Sequence, residues 1–202
     1  MDPRPDGEAP GAPEASWQAD ENPLRRFAAS TLDFHLFSFV GLFLFFLPLL
    51  AAGVPGVDWL IGGSIFATYL LLDPLATILA AFAVALCLAW WGCTPGKWLF
   101  GLRVARAEDG APLGLRRALR REAMLALWGV GLGLPLIQLL MLLRSYDELE
   151  NRPPTLWDRS AGSVVLARPV AGLQLAGVVL GTVLLVALKI WDLIERLSRG
   201  GL

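Results

Sequence analysis

From Phe27 to Gly96 the chain carries no Lys or Arg, and within that stretch apolar residues run without the interruptions that a soluble amphipathic element needs. About 20 apolar residues cross the hydrocarbon core of a bilayer. Residues 27–50 and 74–92 meet that length, and so does 170–188 near the C-terminus. Residues 59–72 are apolar but too short to cross as a helix, and they lie between Pro55-Gly56 and Asp73-Pro74. The pattern predicts an interfacial or re-entrant piece there, with Trp59 and Tyr69 as interface anchors.

Beyond Gly92 the pattern changes. Residues 102–107 and 111–115 alternate on either side of Asp109-Gly110, which predicts a short hairpin with Asp-Gly as its turn. Residues 116–126 follow as a basic amphipathic helix suited to the inner leaflet, where anionic lipid favours Arg. Residues 125–143 are apolar but broken by Gly129, Gly131, Gly133 and Pro135. They either span once, placing Asp158 outside, or dip in and return. Gly129 with Gly133, and Gly177 with Gly181, have the spacing of small-residue helix contacts, read as packing within the chain.

Composition supports lipid as the solvent. The chain of 202 residues is 55% apolar and only 17% charged, with a positive mean hydropathy; soluble domains carry about a quarter charged residues. Its near-zero net charge hides a segregation, because seven basic residues crowd into 97–121: Lys97, Arg103, Arg106, Arg116, Arg117, Arg120 and Arg121. Arg25-Arg26 and that cluster should both face the cytoplasm, so two spans separate them. Residues 1–23, rich in Pro and acids, predict a disordered cytoplasmic tail. Arg25-Arg26 before an apolar run would suit a twin-arginine export signal, but this run is too long and holds Asp33, His35 and Pro48. The expected fold is therefore an all-α, multi-pass membrane protein with a short cytoplasmic hairpin and a re-entrant or interfacial segment. Its location is the cytoplasmic membrane, with the N-terminus inside. The lipid bilayer is the one partner that composition implies, and nothing suggests nucleic acid.

Cys87 and Cys93 would stand ~9 Å apart along one helix, too far for a disulfide, and no paired Cys/His spacing suggests a metal site. Thr94-Pro95-Gly96-Lys97 lacks the upstream Gly and the following Ser/Thr of a phosphate loop. It predicts a tight turn, with Lys97, Trp90, Trp91 and Trp98 at the headgroup level. No nucleophile–base pair or cofactor loop appears, so neither an enzyme nor a cofactor is expected.

Three stretches resemble one family. They are 25–33 (RRFAASTLD); Thr94-Pro95-Gly96-Lys97 with Gly101, Asp109-Gly110 and 117–122 (RALRRE); and 156–165 (LWDRSAGSVV). In this order and spacing they resemble the RDD family of prokaryotic membrane proteins over residues 24–168, leaving 169–202 as an added helix. The family's named Arg and two Asp match Arg26, Asp33 and Asp158. Two positions depart from the pattern: Trp157 stands where members often have His, and Ser163 where Thr is usual. The resemblance implies transport, with cation/proton exchange among the activities linked to the family.

The residues permit a physical reading of their own. Arg26 and Asp33 share a helix face about 10 Å apart along the axis. A carboxylate inside hydrocarbon must face protein or water. Asp158 completes the cluster if its loop returns to the cytoplasmic side, which favours the re-entrant reading of 125–143. His35 lies on the opposite face from Asp33 and reads as a packed or interfacial residue. Two functions stay open at this point: handling of a small solute, cation or proton by Arg26, Asp33 and Asp158, or a membrane scaffold in which the same residues are structural. A path lined by so few polar positions would also invite protomers to associate as a homo-oligomer.

Overall fold

Asn22 caps the long apolar run, its side chain accepting the Arg25 N–H at 3.1 Å, and Pro23 takes a first-turn position where no N–H is needed. The result, in a computed structural model that describes residues 17–20, 22–57, 68–151, 154–169 and 191, is helix α1 (Pro23–Ala51). Only 6% of its most apolar stretch is buried within the protein, unlike the core helix of a soluble domain. A second long helix begins with a π-helical turn (Thr68–Leu72) and continues as α2 (Asp73–Trp90), ending at Gly92 in the left-handed region. Among the described residues, Pro23–Ala51 and Leu70–Trp90 are the helices long and apolar enough to cross a membrane. They pack closely at Gly41, where a Cβ would stand 2.9 Å from the Leu79 Cβ.

The described part of 59–72 thus belongs to the second long helix, since 68–72 run straight into α2. Trp59 and the rest of that piece lie outside the described residues, as do residues 1–16 and the helix expected over 170–188.

At the end where α1 begins and α2 stops, Thr94 caps a short helix, α3 (Pro95–Leu99). Strand β2 (Leu102–Arg106) follows. The expected hairpin does not form: β2 pairs antiparallel with β3 (Ser163–Ala167), Leu102 opposite Ala167 and Arg106 opposite Ser163. Residues 107–110 do turn, with the Arg106 N–H donating to the Ala111 carbonyl at 2.8 Å. Pro112 then lacks a donor for a ladder and Gly114 turns away at φ 72. A two-residue strand, β1 (Gln18–Ala19), adds to the other side of β3, giving the order β1-β3-β2. Trp17 to Asp20, assigned by composition to the disordered tail, therefore join the fold, and the protein is mostly helical rather than all-α.

Ala29, Ala85, Leu88, Leu102, Val104 and Val165 form the core that ties α1, α2 and the sheet together. Arg25 clamps the same end, its guanidinium donating to the Phe100 carbonyl at 2.8 Å and to the Arg168 carbonyl at 2.7 Å.

Helix α4 (Leu115–Met124) leaves this end and continues as a π-helical turn (Leu125–Gly129). The chain reverses through Gly131, Leu132 and Gly133, at φ 61, 55 and 77. Helix α5 (Pro135–Asn151) then runs back, with Ser145 Oγ donating to the Gly129 carbonyl at 3.0 Å. Helix α6 (Leu156–Ala161) closes with Gly162 as its left-handed cap and leads into β3.

Candidate functional site

Two buried polar clusters engage the first half of α1, one through Asp33 and the other through Arg26. The first centres on Asp33, 1% exposed. Its Oδ1 accepts the Gly96 N–H at 2.7 Å, and its Oδ2 accepts the Lys97 ammonium at 3.0 Å and the Thr94 hydroxyl. α3 makes this possible, because its N-cap Thr94, its first-turn N–H and Lys97 one turn on all point at one carboxylate. Gly96 must be glycine: a Cβ there would stand 2.6 Å from the Ala29 carbonyl oxygen and 2.7 Å from Asp33 Oδ1.

The second cluster centres on Asp158, also 1% exposed, in the first turn of α6. Its Oδ1 accepts from Arg121 Nε at 2.8 Å and Ser163 Oγ at 3.0 Å; its Oδ2 accepts from Thr155 Oγ1 at 2.8 Å and from Arg26. Arg121 also pairs with Glu122. Burial alone would push the Asp158 carboxyl up, but the charges of Arg121 and then Arg26, with the Thr155 and Arg121 hydrogen bonds, hold it below its ordinary 3.8.

Of the residues singled out from sequence, Arg26 and Asp158 meet directly. Asp33 does not join them; Thr94, Gly96 and Lys97 hold it instead. Lys97, expected at the headgroups, is 4% exposed and turned inward, because the Asp33 charge compensates its desolvation. Trp90, Trp91 and Trp98 remain exposed. Gly101 accepts from the Arg168 backbone and so ties α3 to the end of β3. Arg121, Glu122 and Thr155 were not singled out; seven basic residues in 97–121 gave no sign of which one would be buried.

Three cations (Arg26, Lys97, Arg121) and three carboxylates (Asp33, Glu122, Asp158) make the two clusters neutral together. A cavity of ≈ 230 Å³ opens beside them. Arg26, Asp33, Lys97, Arg121 and Glu122 contribute to its wall, and Ser30, Thr31 and Gln138 add neutral polar groups. His35 also reaches the cavity, its Nδ1 against the Thr31 carbonyl at 2.8 Å. Phe27, Phe34, Val84 and Leu125 make part of the apolar remainder. Asp158 is not in the wall. The space suits several waters or a small solute.

No curated protein and no solved structure matches the chain. The model of the RDD family matches residues 21–162, which include Arg26, Asp33, the 94–97 turn, Arg121 and Asp158. With that match over well over half of the sequence and two apolar helices of membrane-crossing length, the chain belongs to the RDD family and is a membrane protein.

Proposed function

We propose that this protein handles a small cation or solute in the cavity beside Asp33, as a multi-pass protein of the bacterial cytoplasmic membrane. One observation carries the reading: Asp33 and Lys97 line the cavity, whereas Asp158 is bonded behind it. A cation entering the cavity competes with the Lys97 ammonium for the Asp33 carboxylate. In cation/proton exchange the charge of the site stays balanced because one proton leaves as the cation enters. The Asp158 network is the lock that holds α1, α4 and α6 in place around the site.

The orientation follows from charge. Arg25, Arg26 and the basic 97–121 segment sit at one end of the long helices, and that end faces the cytoplasm. α4, its π-helical turn and α5 form a helical hairpin that dips into the membrane and returns, which keeps Asp158 on the cytoplasmic side. Cavity-facing backbone at the 130–134 reversal is tolerated at membrane depth where protein covers it.

A second reading, a scaffold in which both clusters are structural, draws on the complete pairing of all six charges. Proton and cation flux in proteoliposomes separates the two. The first reading expects pH-dependent flux in the native protein and its loss in Asp33→Asn. The scaffold reading expects no flux in either, with reduced thermal stability in the variant.

A further inference from the structure

Four arginines lie on α4, and the fold uses only two of them. Arg121 is buried against Asp158, and Arg117 pairs with Glu108 at 3.1 Å. Arg116 and Arg120 are exposed and enter no ion pair among the described residues. At steps of four, three and four they lead to Ala123 and Leu127, which are exposed on the same ridge. One side of the helix thus carries cations near the basic end and apolar side chains beyond.

Beside the apolar part of that ridge runs a groove of ≈ 240 Å³ between α2 and α4. Ile78 and Phe82 form one wall, Leu119, Ala123 and Leu127 the other, and Leu132 closes it. From Leu119 to Leu127 the groove follows the helix for about 12 Å, enough for roughly half an acyl chain. Trp90, Trp91 and Trp98 are exposed at the basic end, where indoles sit among headgroups.

We propose that this groove binds one anionic phospholipid, with the phosphate on Arg116 and Arg120 and an acyl chain along Phe82, Ala123 and Leu127. Two guanidinium groups one helical turn apart give the phosphate oxygens charge-assisted donors. A zwitterionic lipid carries its own cation beside the phosphate and gains less from the pair. The groove supplies the part of the site that a soluble phosphate could not use.

The full-length protein, in micelles with equimolar phosphatidylglycerol and phosphatidylcholine, tests this by native mass spectrometry. The native chain should retain one phosphatidylglycerol over phosphatidylcholine by about twenty-five-fold, and Arg116→Gln and Arg120→Gln should each reduce that preference by about fivefold, on the usual gain per cation near an anionic headgroup. Arg117→Gln, removing the same charge from a paired position, should change it little. Ala123→Phe fills the groove and should lower phosphatidylglycerol retention with all arginines present; excess glycerol phosphate should displace none of the lipid. The proposal is overturned if the double arginine variant keeps the preference, or if Arg117→Gln weakens it as much as Arg116→Gln. It is equally overturned if Ala123→Phe retains lipid like the native chain, or if glycerol phosphate competes. Both arginines are exposed, so their variants fold and the test stands even where Ala123→Phe does not.

Discussion

Asp33 can be a fully buried carboxylate only because three donors converge on it, and one of them is a backbone N–H that needs Gly96. Gly96→Ala should therefore be disruptive out of proportion to one methyl group. The added carbon would press on Asp33 Oδ1 and on the Ala29 carbonyl, neither of which is the loose end of a flexible chain. Overpacking of this kind costs about 1–3 kcal/mol, to be read as a lowered thermal midpoint in detergent. Asp158 should show its role through pH. Its carboxyl is held below 3.8 in the folded protein, so the unfolded chain binds the proton more readily. The stability it contributes is complete above about pH 4 and is lost as pH falls through the depressed folded value. Asp158→Asn removes that part of the acid sensitivity and leaves Arg26 and Arg121 short of a counter-charge, at a cost of about 3–5 kcal/mol. Acid titrations of native and Asp158→Asn protein followed by circular dichroism check both statements. An unchanged acid midpoint in the variant would contradict the assignment.

At the scale of elements, the reversal between α4 and α5 decides where everything after it lies. Gly133 has φ 77, and a Cβ on it would meet Thr77 Oγ1 at 2.7 Å and the Asp73 carbonyl oxygen at 3.1 Å. Gly133→Ala thus combines backbone strain with a clash against the first turns of α2, and should destabilise the protein by about 1–3 kcal/mol. A cysteine at Ser145, in a background without Cys87 and Cys93, reports the change: protected from thiol reagents while Gly133 is kept, and labelled faster once Gly133→Ala is added. Equal labelling would show that the hairpin does not depend on this contact. The glycines are plain in the sequence as interruptions, and the direction in which the chain leaves them follows from the need to bring Asp158 back towards Arg26. The sheet is harder to read. β2 is recognisable from alternation, but its partner β3 lies far along the chain, and local turn chemistry at Asp109-Gly110 points to a nearer and wrong neighbour. Gln18 and Ala19 give no signal at all, since a two-residue strand on a sheet edge carries no periodicity.

For the whole molecule, the two long apolar helices among the described residues and the asymmetry of Lys and Arg are legible because a bilayer imposes length and charge rules on sequence directly. Arg26 and Asp158 are also legible, through the spacing of the family's motifs. The division of the polar residues into two clusters is not. It depends on which way α3 turns Lys97, a tertiary matter that a short turn motif does not encode. The proposed function rests on that division: Asp33 and Lys97 line the cavity and are proposed as the working pair, whereas Asp158 lies outside its wall and is proposed as the lock. The most direct test is pH-driven cation flux in proteoliposomes, per folded molecule, for Asp33→Asn and Asp158→Asn side by side. The account predicts that the Asp33→Asn molecules that do fold carry no flux, while the Asp158→Asn molecules that do fold retain it. Flux that survives in Asp33→Asn and disappears in folded Asp158→Asn would contradict it.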